Sequence, residues 1–252
     1  MRAISRVVIA IIAIIMVAIA SLAAYFLLSS TTSGPPEPLL QLPMEWGTQG
    51  AIITFQNEGS QPIVLLQGEM SSVNLTFPIS SSSPLYPNEI ATSDVSWGTS
   101  GSGLTNGTQY PLVLQITYQG GSTANETLQV VAAIHSSFAQ CMPGSGQEGL
   151  IEISGSYSTD NGTGKATWNP SVKNTANMGI VALVAGVNNR TLWFPLEVNG
   201  MQVGPSNQLK IGENASASII WTPIAHSTHD RSLEYVCANG EYGSSGIHTV
   251  GP

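Results

Sequence analysis

The chain has 252 residues, with 7 Lys and Arg against 15 Asp and Glu, a net charge of −8 at pH 7 and only 9% charged residues in total. That balance argues against a nucleic-acid partner, because phosphate binding needs a basic stripe. The scarcity of ionisable groups, together with the absence of a G-x-S-x-G elbow, an H-E-x-x-H pair or a P-loop, argues against an enzyme and against a bound cofactor.

Val7 to Leu28 is a run of 22 residues without a charge. As a helix it reaches about 33 Å at about 1.5 Å per residue, enough to cross a hydrocarbon core of about 30 Å. Arg2 and Arg6 precede it and the next cation is Lys165, so the positive-inside bias predicts a cytoplasmic N-terminus and an external remainder. Segment 1–28 is thus expected to be a membrane or signal-anchor helix. Residues 29–43, rich in Ser, Thr, Pro and Gly without periodicity, are expected to form an extended stalk.

Beyond the stalk helical periodicity gives way to short runs rich in Val, Ile, Thr and Tyr. These are Ala51–Phe55, Ile63–Leu66, Val73–Phe77, Tyr110–Tyr118 and Leu128–Ile134. Turn residues separate them at Asn57-Glu58-Gly59-Ser60, Tyr86-Pro87-Asn88-Glu89, Asn106-Gly107 and Gly120-Gly121. Such spacing predicts a mainly β chain built as antiparallel sandwiches.

Three blocks recur in the same order. Phe55–Leu65 answers Val172–Ala182, Leu75–Ile79 answers Leu192–Leu196, and Tyr86–Trp97 answers Ile211–Trp221. Ordered recurrence predicts an internal duplication. The expected organisation is two tandem immunoglobulin-like antiparallel β-sandwich domains, 44–142 and 143–252, divided near Pro143-Gly144-Ser145-Gly146. Trp97 and Trp221 close the third block in each copy and are expected in the cores. Trp46 and Trp168 are candidates for sugar stacking if they lie in loops.

The acceptor pattern N-x-S/T occurs at Asn74, Asn106, Asn125, Asn161, Asn189 and Asn214, all in the segment expected outside. Cys141 and Cys237 are the two cysteines, and an even pair in an oxidising exterior reads as a disulfide. Metal ligation and a reactive thiol are the competing readings, and no C-x-x-C spacing supports either. The histidines are His135, His226, His229 and His248. His226 and His229, followed by Asp230, have ligand-like spacing, but the simpler reading is a polar loop and no metal is expected there. Sparse carboxylates and few lysines suit an acidic habitat, since fewer groups change charge as pH falls.

The start Arg2-Ala3-Ile4-Ser5, followed by the apolar run, resembles the class III signal sequences of archaeal type IV pilins and related surface proteins. The resemblance implies cleavage after Ala3, leaving Ile4 as the first residue. Ile53-Thr54-Phe55-Gln56-Asn57-Glu58-Gly59-Ser60-Gln61-Pro62 and Gly103-Leu104-Thr105-Asn106-Gly107-Thr108-Gln109-Tyr110 also resemble the β domains of such proteins. That likeness implies a glycosylated cell-surface protein, either a pilin-like filament subunit or an adhesin. Its partners would be the membrane, copies of itself, and surface glycans or other membrane subunits. A monomeric anchored binding module and an accessory single-helix subunit of a membrane enzyme complex fit the same features.

Overall fold

The computed structural model describes residues 39–47, 49–70, 75–79, 84–96, 103–135, 140–144, 151–224 and 230–248. Ala3, Ile4, the apolar run, Asn74, Trp97, His226 and His229 lie outside these residues. Among the described residues there is no helix, and none is long and apolar enough to cross a membrane.

The first half contains β1 (Leu39–Gln41), β2 (Glu45–Gly47), β3 (Gly50–Asn57), β4 (Ile63–Met70), β5 (Leu75–Ile79), β6 (Ile90–Ser96), β7 (Gln109–Tyr118), β8 (Thr123–Val131) and β9 (Ile134–His135). The second contains β10 (Ile151–Asp160), β11 (Lys165–Asn174), β12 (Ile180–Val187), β13 (Leu192–Pro195), β14 (Glu197–Val198), β15 (Met201–Gln202), β16 (Asn214–Ser216), β17 (Ile219–Trp221), β18 (Asp230–Cys237) and β19 (Tyr242–His248). Between these strands every pairing is antiparallel except the parallel contact of β2 with β9.

Each half consists of two sheets sharing one core, a β-sandwich-like arrangement. In the first half β3, flanked by β1, β2 and β6, presents Ile53 and Phe55 to Leu66, Leu112, Leu114 and Ile116 of the β5-β4-β7-β8 sheet. Strand β7 shows why: its buried and exposed residues alternate, as the two-residue period of a strand with one covered face requires. In the second half Trp168, Val172, Ala215 and Trp221 face Leu183, Ala185, Leu233 and Tyr235 of the β13-β12-β18-β19 sheet.

The two halves correspond down to single bonds. Strands β3, β4, β5, β7 and β8 have counterparts in β11, β12, β13, β18 and β19, and the bulge between Ile63 and Leu65 recurs between Ile180 and Ala182. Buried Asn57 donates from Nδ2 to the carbonyls of Gln61 and Leu85 while its Oδ1 accepts the Gly59 N–H. Buried Asn174 does the same with Met178, Leu209 and Ala176. One turn later the Tyr86 N–H donates to the Glu89 carboxylate at 2.7 Å, and the Lys210 N–H to that of Glu213 at 3.0 Å. Tyr86 therefore matches Lys210, and the third sequence block starts one residue earlier in the second copy than the alignment by residue type placed it.

Two of the differences between the copies bear on how they meet. Strand β6 is continuous, whereas its counterpart breaks into β16 and β17 beside Pro170, which has no N–H for the ladder. Strand β12 is buried along its whole length, and its sequence Ile-Val-Ala-Leu-Val-Ala-Gly-Val lacks polar alternation because both faces are covered. The first described residues belong to the first sandwich. Leu39–Gln41, expected in the stalk, pair with β3, and Leu42 is buried with its N–H bonded to the Thr54 carbonyl.

Candidate functional surfaces

The second face of β12 is covered by the first sandwich. Leu42 and Ile90 pack with Val181, Ala182, Val184, Trp193 and Val236 in a small separate core, against which Tyr86 and Tyr242 rest. A side-chain bond adds direction: Asn88 Nδ2 donates to the Trp193 carbonyl at 3.2 Å. Asn88 stands at φ +66°, the left-handed position that its counterpart Gly212 occupies at φ +78°, so the turn itself aims Asn88 across the joint.

The opposing turn is also constrained. Asn188, Asn189 and Arg190 all have φ between +56° and +60°, uncommon for residues with a Cβ, and Arg190 most of all. This winding brings the Arg190 carbonyl to within 3.0 Å of Trp193 Nε1, fixing the indole at the joint. The Arg190 charge also acts on half-buried Glu89 and buried Glu234. Burial pushes both up to about 7, against the pull of Arg190 and of hydrogen bonds from the Tyr86 N–H to Glu89 and from the Tyr242 hydroxyl and Ile90 N–H to Glu234. Glu234 lies on β18 and Ile90 on β6, so the Glu234 bond to the Ile90 N–H crosses between the sandwiches. Glu234 Oε2 is buried and has no hydrogen-bond partner.

The expected disulfide is present between Cys141 and Cys237, 96 positions apart. Both cysteines belong to the second core, and Gly144, two residues past Met142, donates its N–H to the Thr175 carbonyl. The five described acceptor asparagines are all exposed. Asn106 is in the turn before β7, Asn125 on β8, Asn161 in the β10–β11 hairpin, Asn189 in the left-handed turn and Asn214 at the start of β16. They are spread over both sandwiches.

Trp221 is buried in the second core as expected. Trp46 and Trp168 are on strands β2 and β11 and are 1% and 2% exposed, so neither offers a ring face to a sugar. The sequence left their loop or strand placement open, and their apolar area is used in the cores instead. No group of three or more metal-ligating side chains occurs among the described residues. Near Trp168 a groove of about 250 Å³ is lined by Ile153, Ser154, Gly155 and Arg231. The Arg231 guanidinium lies 4.8 Å from the Tyr157 ring centre and 5.2 Å from that of Trp168, closing one end of the core as a cation stacked between aromatic rings.

Glu234, Glu89 and Asn88 were not legible in the sequence because what covers them, wholly for Glu234 and in part for the other two, comes from the partner sandwich. One signal was available: Glu89 and Glu213 recur in matching blocks, which marks the turn, though not its environment.

No protein-family profile and no curated protein matches the chain. Among solved structures, red sea bream transglutaminase is similar over 86% of this chain and 32% of its own length, at 8% identity and a TM-score of 0.26. The exo-chitosanase CsxA of Amycolatopsis orientalis is similar over 84% of this chain and 26% of its own length, at 12% identity and a TM-score of 0.28. The chain thus spans less than a third of either protein.

Proposed function

We propose that the chain is an extracellular, membrane-anchored surface protein, a pilin-like filament subunit or adhesin. Its apolar segment 7–28 forms a membrane helix or, in a fibre, a helix packed against copies of itself. That helix carries two tandem immunoglobulin-like sandwiches that face the medium. The observation that carries the reading is the Cys141–Cys237 disulfide, since a bridge closing most of a sandwich persists in an oxidising exterior and is rare in a reducing cytosol. Exposed acceptor asparagines on both sandwiches support it: attached sugars would hydrate the surface of a chain in which only 9% of residues are charged, so that repulsion is slight.

The two assemblies differ at the N-terminus. Small residues Ala10, Ala13, Ala18, Ala20, Ser21, Ala23 and Ala24 permit close helix contact in lipid or in a fibre. Sequencing the protein recovered from sheared cell-surface material tests the reading. A start at Ile4 in sedimentable fibres supports the filament subunit; an intact N-terminus in detergent-soluble particles supports the anchored adhesin. Recovery of the unprocessed chain from the soluble cytosol overturns both.

A further inference from the structure

The residues on β18 alternate: Leu233, Tyr235 and Cys237 enter the second core, and Glu234 and Val236 point to the other face. Register identifies Gln115 on β7 as the counterpart of Glu234, because Leu183 pairs with Tyr235 where Leu66 pairs with Ile116. Gln115 is exposed and Glu234 is buried. Glu234 is therefore an outward-facing carboxyl group covered by the docked first sandwich. Glu89 approaches from that sandwich, in a turn whose capping bond Glu213 makes equally well without a neighbour.

The surroundings of Glu234 are set by four elements. Strand β12 offers apolar Val184, directly paired with it; β19 offers Tyr242, which also bonds Ser244. The first sandwich offers Glu89, Tyr86 and the Ile90 N–H, and the β12–β13 turn offers Arg190. Two carboxyl groups thus face one exposed guanidinium across an apolar contact, and one carboxyl oxygen has no donor. With both groups ionised, the docked state confines two like charges in a site that one partly solvated cation cannot neutralise. With both protonated, the repulsion is gone and the vacant oxygen needs no cationic partner.

We propose that the contact between the sandwiches is a proton-operated clasp: protonation of Glu89 and Glu234 holds the first sandwich on the β12–β18 face, and ionisation of both releases it. Undocked, each carboxyl group returns to water and to an ordinary carboxylate titration, so protons bind the docked form more strongly. Docking is then favoured below the ordinary carboxylate range and weakens as pH rises through about 7. The clasp acts by closing and opening the angle between two rigid sandwiches, whatever the chain's surface role.

The test uses the full chain in detergent micelles, with Gln129→Cys and Ser218→Cys carrying spin labels on exposed positions of the two sandwiches. At pH 5 one narrow inter-label distance is expected. At pH 8.5 a second, broader population should appear, with the open-to-closed ratio raised at least about tenfold and a midpoint near neutrality. The E89Q/E234Q double variant should keep the narrow distance at both pH values, and E89Q alone should halve the pH response or better. An unchanged narrow distance at pH 8.5 in the wild type overturns the clasp. So does the same broadening in a double variant that melts like the wild type.

Discussion

Asn174 makes with Met178, Leu209 and Ala176 the three hydrogen bonds that Asn57 makes with Gln61, Leu85 and Gly59. Each asparagine ties the end of one strand to the start of the next and to a crossing segment. Both are fully buried, so truncation leaves one N–H and one carbonyl without their partner and removes the second donor from a carbonyl, Leu85 or Leu209, that still accepts a backbone N–H. Asn57→Ala and Asn174→Ala should each cost about 2–4 kcal/mol, read as a lowered denaturant midpoint with an unchanged slope. Because the sites lie in different cores, the effect of Asn57→Ala should localise to the first sandwich in hydrogen exchange.

Reduction of Cys141–Cys237 opens a loop of 96 positions within the second sandwich. Chain-entropy arguments place the loss at about 4–5 kcal/mol. The C141S/C237S variant should therefore lose protection throughout β11, β12 and β18, while β3, β4 and β7 keep theirs. Equal loss in both halves would mean that the second core supports the first far more than their small shared contact implies.

Gly186 tests the joint from beneath. A Cβ there meets Trp193 carbons at 2.8 and 2.9 Å and Ser232 Oγ at 2.7 Å. Gly186→Ala should displace the indole held by the Arg190 carbonyl and cost about 1–3 kcal/mol through overpacking. Its signature is a changed Trp193 environment in near-ultraviolet circular dichroism, with the Cys141–Cys237 bridge intact.

Acidity should stabilise the folded chain over a defined window. Glu89 and Glu234 are held near 7 in the fold, above their ordinary value, so the folded state binds more protons and stability falls as pH rises through the range between the two. Asp160 acts with the opposite sign. Thr163 Oγ1 and the Gly162 N–H bond to its carboxylate and hold it below the ordinary range, a contribution lost only in stronger acid. Thermal melts of the wild type should peak on the acid side of neutrality, and E234Q should flatten the decline toward pH 8.

The strands were legible where alternation was complete, as along Tyr110–Tyr118, and where apolar runs were bounded by turn residues, as at Ala51–Phe55. Leu128–Ile134 read as one run but divides between β8 and β9, since nothing local shows that Ile134 pairs with Trp46. Strand β10 escaped notice because Ser154, Gly155, Ser156 and Ser158 carry no β pattern; its pairing with β11 supplies the order. The paired cysteines were legible because chemistry restricts their options. The buried acids were not, because a Glu on an outward strand face has the same sequence signature whether water or a second sandwich lies above it.

Non-reducing peptide mapping of the chain shaved by protease from intact cells tests the surface assignment most directly. The account predicts release of peptides in which Cys141 is linked to Cys237 and in which the exposed acceptor asparagines Asn106, Asn125, Asn161, Asn189 and Asn214 carry sugar. Protection from the protease until lysis, with both thiols free and all five asparagines bare, would contradict it.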